Sequence, residues 1–186
     1  MTRIIAGRAG GIAIDVPDSG TRPTSDRVRE SLFGALESAD ALRGARVVDL
    51  YAGSGALGLE AVSRGAASAD LVEKAAPAAT IVQRNAGRVA KSMGRGASIT
   101  VHRAAVAAYL DRPCGPWDLA FVDPPYDLGD GELTAALTAL LPRLAVDALV
   151  IVERSSRSGE PSLPEGMVVE RSKRYGDTTL WWLAPA

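Results

Sequence analysis

Two short stretches of the 186-residue chain place chemically capable residues at fixed spacing. In "VVDLYAGSGALGLE", Gly53, Gly55 and Gly58 spell G-x-G-x-x-G directly after an apolar run. Asp49 stands four residues before the first glycine, and Glu73 twenty residues after it. Such glycines allow a tight turn and close approach of a ligand to the backbone, and an acid ending the next strand suits ribose hydroxyls. In "FVDPPYD", a second apolar run stops at Asp123, Pro124, Pro125 and Tyr126. Prolines lack the donor that a sheet ladder needs, and each biases the residue before it towards extended backbone. The turn therefore holds a carboxylate, a carbonyl and an aromatic ring in fixed relation.

A glycine loop with an acid for the ribose fits a dinucleotide and S-adenosylmethionine (SAM) alike. Asp49 tilts the balance, because a carboxylate there would crowd a pyrophosphate but suits a ligand carrying a sulfonium and an ammonium. The D-P-P-Y turn complements this. The Asp123 carboxylate and the Pro124 carbonyl can each accept one hydrogen of a planar exocyclic amine. The nitrogen is then steered towards tetrahedral, with its lone pair aimed outwards at an in-line methyl group. Orientation of this kind is worth effective molarities of about 10⁵–10⁸ M. The Tyr126 ring offers a stacking surface, worth about 1–3 kcal/mol per base. No strong base is required, since a methylated ammonium loses its proton readily. As mere packing glycines and a mere loop breaker, the two motifs would have no reason to occur together.

These residues need a framework, and the chain supplies one. "RIIAGRAGGIAIDVP" reads as two short strands around a Gly-rich turn. "TSDRVRESLFGALESA" reads as a helix capped by Thr24 or Ser25, with Val28, Leu32, Leu36 and Ala39 on one face. From Arg46 the pattern alternates: strands "RVVDLY", "ADLVE", "SITVHR", "WDLAFVD" and "ALVIVER" are separated by helical runs. Two more strand-like runs, "GMVVERSKRY" and "TTLWWLAP", are joined at "GD", a hairpin signal. The expectation is one α/β domain: a doubly wound, mostly parallel seven-stranded sheet, with one antiparallel strand of the C-terminal hairpin at its edge.

Composition narrows the function. One cysteine, Cys114, and one histidine, His102, exclude a disulfide framework and argue against a structural zinc site; no metal is expected. They also remove the Cys/His and Ser/His/Asp catalytic sets, and His102, inside a strand, reads as structural. No apolar run approaches the roughly 20 residues that span a bilayer, and the start "MTRIIAGRAGG" has no secretory h-region, so the expected location is cytoplasmic. A net charge of −1 argues against indiscriminate nucleic-acid binding. Positive charge nevertheless exceeds negative by two in residues 1–29 and again in residues 154–174. By charge alone both are solvated faces.

The stretches "RIIAGRAGG", "TRPTSDRVRESLF", "VVDLYAGSGALGLEAVSRGA", "VEK" and "FVDPPYDLG" together resemble the RsmD family, the 16S ribosomal RNA (guanine(966)-N(2))-methyltransferases. The resemblance runs over nearly the whole chain. It implies a Rossmann-like class I methyltransferase fold, with residues 1–22 as an N-terminal β-hairpin extension that contacts RNA and residues 23–186 as the SAM-dependent domain. It also implies methyl transfer to a guanine N2 amine, release of S-adenosylhomocysteine, and a monomer acting on 16S rRNA or the assembling small subunit. Carried over by position, Asp49, Ala52, Gly53, Ser54, Gly55 and Gly58 hold the donor, with Glu73 and Lys74 at its ribose. Asp123, Pro124 and Tyr126 take the target base. Relatives place a polar residue after the third strand for the adenine amine, where this chain has Ala104. That contact then falls to backbone groups or to Arg103. Arg3, Arg8, Arg22, Arg27 and Arg29 become candidate phosphate contacts, and the target is expected as a loop nucleotide splayed into the pocket.

Three rival readings share some of these features. A DNA adenine or cytosine amino-methyltransferase shares both motifs but usually needs an added recognition domain. An NAD-dependent dehydrogenase leaves Asp49 and D-P-P-Y unexplained. A non-catalytic ribosome-assembly factor would bind RNA with a vestigial donor site.

Overall fold

A computed structural model describes residues 1–18 and 24–186. Two short strands, β1 (Thr2–Arg3) and β2 (Ala13–Ile14), pair antiparallel around the "GRAGG" turn. Helix α1 (Asp26–Ser38) follows, and alternation then begins with β3 (Arg46–Leu50), α2 (Ala56–Ser63), β4 (Ser68–Glu73) and α3 (Ala76–Met93). It continues through β5 (Ser98–Arg103), α4 (Val106–Leu110), β6 (Trp117–Val122), α5 (Asp130–Leu140) and β7 (Leu144–Ser155). The last two strands are β8 (Met167–Tyr175) and β9 (Thr178–Pro185). Ser25, not Thr24, caps α1, its Oγ accepting the Val28 amide at 3.3 Å. Ala39 is the C-cap and is exposed; Phe33 and Arg29 complete the buried face instead.

The seven strands lie in the order β5-β4-β3-β6-β7-β9-β8. The first five are parallel, and β9 runs antiparallel to both of its neighbours. The reversed strand thus sits one place in from the edge, not at it. Composition gives the reason. Strand β9 buries Leu180, Trp182 and Leu183, whereas β8 exposes Glu170, Arg171, Lys173 and Arg174, the charged pattern that protects an edge. Strand residues alternate between two apolar layers. Val47, Leu71, Leu119, Phe121 and Ile151 pack with α1, α2 and α3. Val48, Val72, Ala120, Val122, Val150 and Val152 pack with α4 and α5. His102 is structural as expected: its Nε2 pairs with Asp70 Oδ1 at 2.9 Å, while Trp117 Nε1 donates to Asp70 Oδ2 at 2.9 Å.

The N-terminal hairpin is fastened by buried charge. Ile4, Ala9 and Ile14 enter the main core. Glu60, fully buried on α2, accepts the amides of Ile5 at 2.8 Å and Ala6 at 3.0 Å, and the Nε of Arg64 at 2.8 Å. Arg29 is 1% exposed and donates to Thr2 Oγ1, the Arg3 carbonyl and Asp26. This corrects one expectation: a guanidinium sealed beneath the hairpin cannot meet an RNA phosphate, so Arg29 is an anchor. The Arg8 guanidinium donates to the Met93 carbonyl at 2.9 Å, closing the end of α3, although the residue stays exposed. Arg3 and Arg27 are exposed, and Arg22 lies outside the described residues.

Helix α2 lies so close to the sheet that a Cβ on Gly58 would stand 2.3 Å from Leu71 Cδ2 and 3.2 Å from Asp49 Cβ. Two stability outcomes follow from these contacts. Glu60→Ala strands the Ile5 and Ala6 amides and removes the buried carboxylate facing Arg64 and Arg29, and should cost about 3–5 kcal/mol in urea unfolding. Gly58→Ala overpacks the helix–sheet contact and should cost about 1–3 kcal/mol by the same measurement.

Candidate active site

Four neighbouring parallel strands carry the same short pattern at or near their carboxyl ends, an apolar pair followed by an acid: Val47-Val48-Asp49, Leu71-Val72-Glu73, Phe121-Val122-Asp123 and Ile151-Val152-Glu153. Because side chains alternate along a strand, each acid falls on the face of Val47, Leu71, Phe121 and Ile151, which is the α1–α3 layer. The pairings Leu50 with Val72, Leu50 with Val122, and Val122 with Val152 bring these ends to one rim. This rim is the carboxyl edge of an open α/β sheet, where ligands bind.

The glycine turn is held from several sides. Gly53 and Gly55 have φ of +60° and +80°, a backbone that favours glycine. Gly53 N donates to Glu73 Oε2 at 2.9 Å, Ala75 N to Glu73 Oε1 at 2.8 Å, and Gly58 N to Asp49 Oδ2 at 2.9 Å. Asn85, buried on α3, donates to the Ser54 carbonyl at 2.9 Å and exchanges two bonds with the Asp15 backbone. It rivets the turn to the segment after β2. Tyr51 takes φ +62°, rare for a residue with a side chain and a mark of stored strain at a site.

Around this turn a cleft of about 950 Å³ opens, large enough for a small-molecule ligand. Glu73, Lys74, Gly53 and Asp123 line it, joined by Tyr51, Ala105 and Val106. A smaller recess is walled by Asp49, Ala52, Gly53, Ser54, Leu57 and Asp123. A third, on the other side of Asp123, is walled by Pro124, Tyr126, Glu153, Arg154, Ser155 and Ser158. Asp123 belongs to all three. Asp49, Ala52, Gly53, Ser54, Glu73, Lys74, Asp123, Pro124 and Tyr126 are therefore brought together as the spacing suggested.

Gly55, Gly58, Arg103 and Ala104 do not line these cavities. Gly55 and Gly58 instead admit the packing of α2 and α3 against β4. Arg103 is exposed, and the Ala104 amide is bonded to the Glu73 carbonyl at 3.1 Å, so the next residues, Ala105 and Val106, face the cleft. Glu153 and Tyr51 went unmarked in the sequence. Glu153 could have been found, since "IVE" repeats the endings of the other three strands.

The electrostatics follow from placing acids together out of water. Burial is the main cause that raises the Asp49 carboxyl to about 7; the Gly58 amide opposes it and the Glu73 charge adds to it. Burial also holds Asp123 well above the usual carboxylate range, with Glu153 and then Asp49 adding repulsion. Burial pushes Glu153 up as well, against the Thr24 hydroxyl, which donates to its Oε2 at 2.6 Å. Such a rim favours a cation at Asp49 and hydrogen-bond donors at Asp123. At the turn, Leu128 N donates to the Pro125 carbonyl at 3.0 Å, while among the described residues no backbone donor meets the Pro124 carbonyl. The Tyr126 ring is 62% exposed and open to stacking.

Comparison with known proteins places the chain in a family. The family model "Conserved hypothetical protein 95" matches residues 2–184. Ribosomal RNA small subunit methyltransferase D of Escherichia coli K12 is 38% identical over 175 residues, covering 94% of this chain and 85% of that protein. The solved structure of hypothetical protein TTHA0928 from Thermus thermophilus is 30% identical, covers all of both chains and superposes with a TM-score of 0.82. Magnesium protoporphyrin IX methyltransferase from Synechocystis PCC 6803, solved with bound SAM, shares the fold at 15% identity, covering 86% of this chain and 79% of that one with a TM-score of 0.67. The chain belongs to the conserved hypothetical protein 95, or RsmD, family of methyltransferases.

Proposed function

We propose that the protein transfers a methyl group from SAM to the exocyclic N2 amine of a guanine in 16S rRNA, with guanine 966 the expected position. The observation that carries this reading is the placement of Asp123. It is the common wall between the recess at the glycine turn and the recess at Pro124 and Tyr126. A group held in one recess therefore meets a group held in the other across a single carboxylate.

The residues present fit the donor. Asp49 offers a buried carboxylate to a cationic amino acid, and Glu73 keeps unused lone pairs for ribose hydroxyls after accepting two amides. The apolar wall of Val72, Ala78, Ala105, Val106 and Leu110 suits an adenine ring. SAM supplies an electrophilic methyl on a sulfonium. On the other side, Asp123 and the Pro124 carbonyl accept the two amine hydrogens and Tyr126 stacks on the base. Orientation and two placed acceptors then do the work of catalysis.

The partner in this reading is 16S rRNA or the assembling small subunit, met by a monomeric, cytoplasmic protein. Exposed Arg3 and Arg27 are the phosphate contacts best supported, with the exposed Arg8 beside them. Among the described residues no helix is long and apolar enough to cross a membrane.

Mapping of modified guanines in 16S rRNA made with and without the protein tests the reading directly; no change at any guanine N2 refutes it. Asp123→Ala should lower methyl transfer at least about 10²-fold while leaving RNA association intact. The pH dependence of donor binding follows from Asp49. Its folded pKa of about 7 lies above the ordinary 3.8, so its contribution to the stability of the free protein is full below pH 3.8 and lost as pH rises through 7. A cationic ligand binds the ionised form, so SAM affinity should rise by up to about tenfold per pH unit below 7 and then level off. Calorimetric titration at pH 5.5, 6.5 and 7.5 checks this, and a flat profile contradicts the role of Asp49.

A further inference from the structure

Glu153 has no part in holding a methyl donor, yet it is a half-buried acid beside Asp123 in the base recess. Strand β7 puts it there. Val152 pairs with Val122, so Glu153 and Asp123 extend from adjacent strands, about 4.8 Å apart, on the same face. Thr24, just before α1, donates to Oε2 at 2.6 Å, and among the described residues nothing is bonded to Oε1. The recess is about 40 Å³, enough to admit the edge of a base but not a nucleotide, and the exposed Tyr126 ring stands beside it. A base therefore enters edge first.

The edge that fits can be deduced. The recess is lined by two carboxyl groups on adjacent strands, Asp123 and Glu153, and by the hydroxyls of Ser155 and Ser158. Ser155 Oγ accepts the Arg157 amide at 3.3 Å, which leaves its own proton free to donate. Guanine presents complementary groups along one edge: an amine donor at N2, a donor at N1 and an acceptor at O6. Adenine and cytosine carry a bare ring nitrogen next to the amine, and its lone pair would face the Glu153 oxygen.

We propose that Glu153 is the specificity-determining residue of the site, its Oε1 accepting the N1–H of guanine next to the amine held by Asp123. The assignment rests on the guanine-N2 reading above and explains how the site rejects other amino-bearing bases. Asp123 alone cannot do so, because all three bases offer it an amine hydrogen. A hydrogen bond to the Glu153 carboxyl oxygen is strong enough for the task, and leaving it unmade strands a half-buried acceptor.

The test uses small-subunit rRNA carrying guanine or 1-deazaguanine at the target position. The analogue keeps the amine, puts C–H in place of N1–H, and carries its displaced proton on N3 or O6. The unaltered protein should favour guanine about 10–100-fold in kcat/KM. Glu153→Ala should bring that ratio to within about twofold of one, by lowering the rate on guanine. Glu153→Gln, which keeps the shape with a neutral acceptor, should give an intermediate ratio and serves if the alanine variant does not fold. A guanine preference unchanged in a folded variant, or absent from the unaltered protein, overturns the role of Glu153 while the parent reading stands. Failure of the unaltered protein to methylate guanine N2 overturns both.

Discussion

Carboxylates buried side by side at the ends of parallel strands repel one another and resist losing their protons. Asp49, Asp123 and Glu153 stand in that relation, and the surrounding structure is arranged to tolerate it. Amides of the glycine turn point at Asp49 and Glu73, and the Thr24 hydroxyl points at Glu153. These donors compensate in part. What remains is a rim waiting for positive charge and hydrogen-bond donors, which are the features of a sulfonium amino acid and a nucleobase amine.

The same constraint accounts for the packing around the site. An acid on Asp49 can reach the Gly58 amide only if α2 lies close against β3 and β4, and that requires a residue without a side chain at Gly58. The N-terminal hairpin lies against α2 at its far end. There Arg8 N bonds the Ser63 carbonyl at 2.8 Å, and Glu60 takes the hairpin amides. Removing the hairpin would take from Glu60 its two amide donors and from Arg29 two of its acceptors, so it is a structural part of the domain as well as a proposed RNA-facing surface.

Several features were legible in the chain because they are local. Strand and helix periodicity marks every element of the alternating region, and G-x-G-x-x-G and D-P-P-Y name their own turns. The grouping of Asp49, Gly53, Glu73 and Asp123 was also readable. Parallel alternation places successive strand ends at one edge without further information.

Other assignments depended on distance, not on pattern. Arg29 reads as one more surface cation in "DRVRES", and only the fold of the hairpin over α1 seals it from solvent. The order β7-β9-β8 is set by which hairpin strand has apolar residues to bury, a choice made when the hairpin meets the sheet. Glu153 lies 30 residues from Asp123 in the chain, and β6–β7 pairing alone makes them neighbours. Residue type and spacing thus determined the chemistry available to this protein. Tertiary packing decided which charges stay in water and which two acids share a recess, because solvent exclusion and strand pairing act through space rather than along the chain.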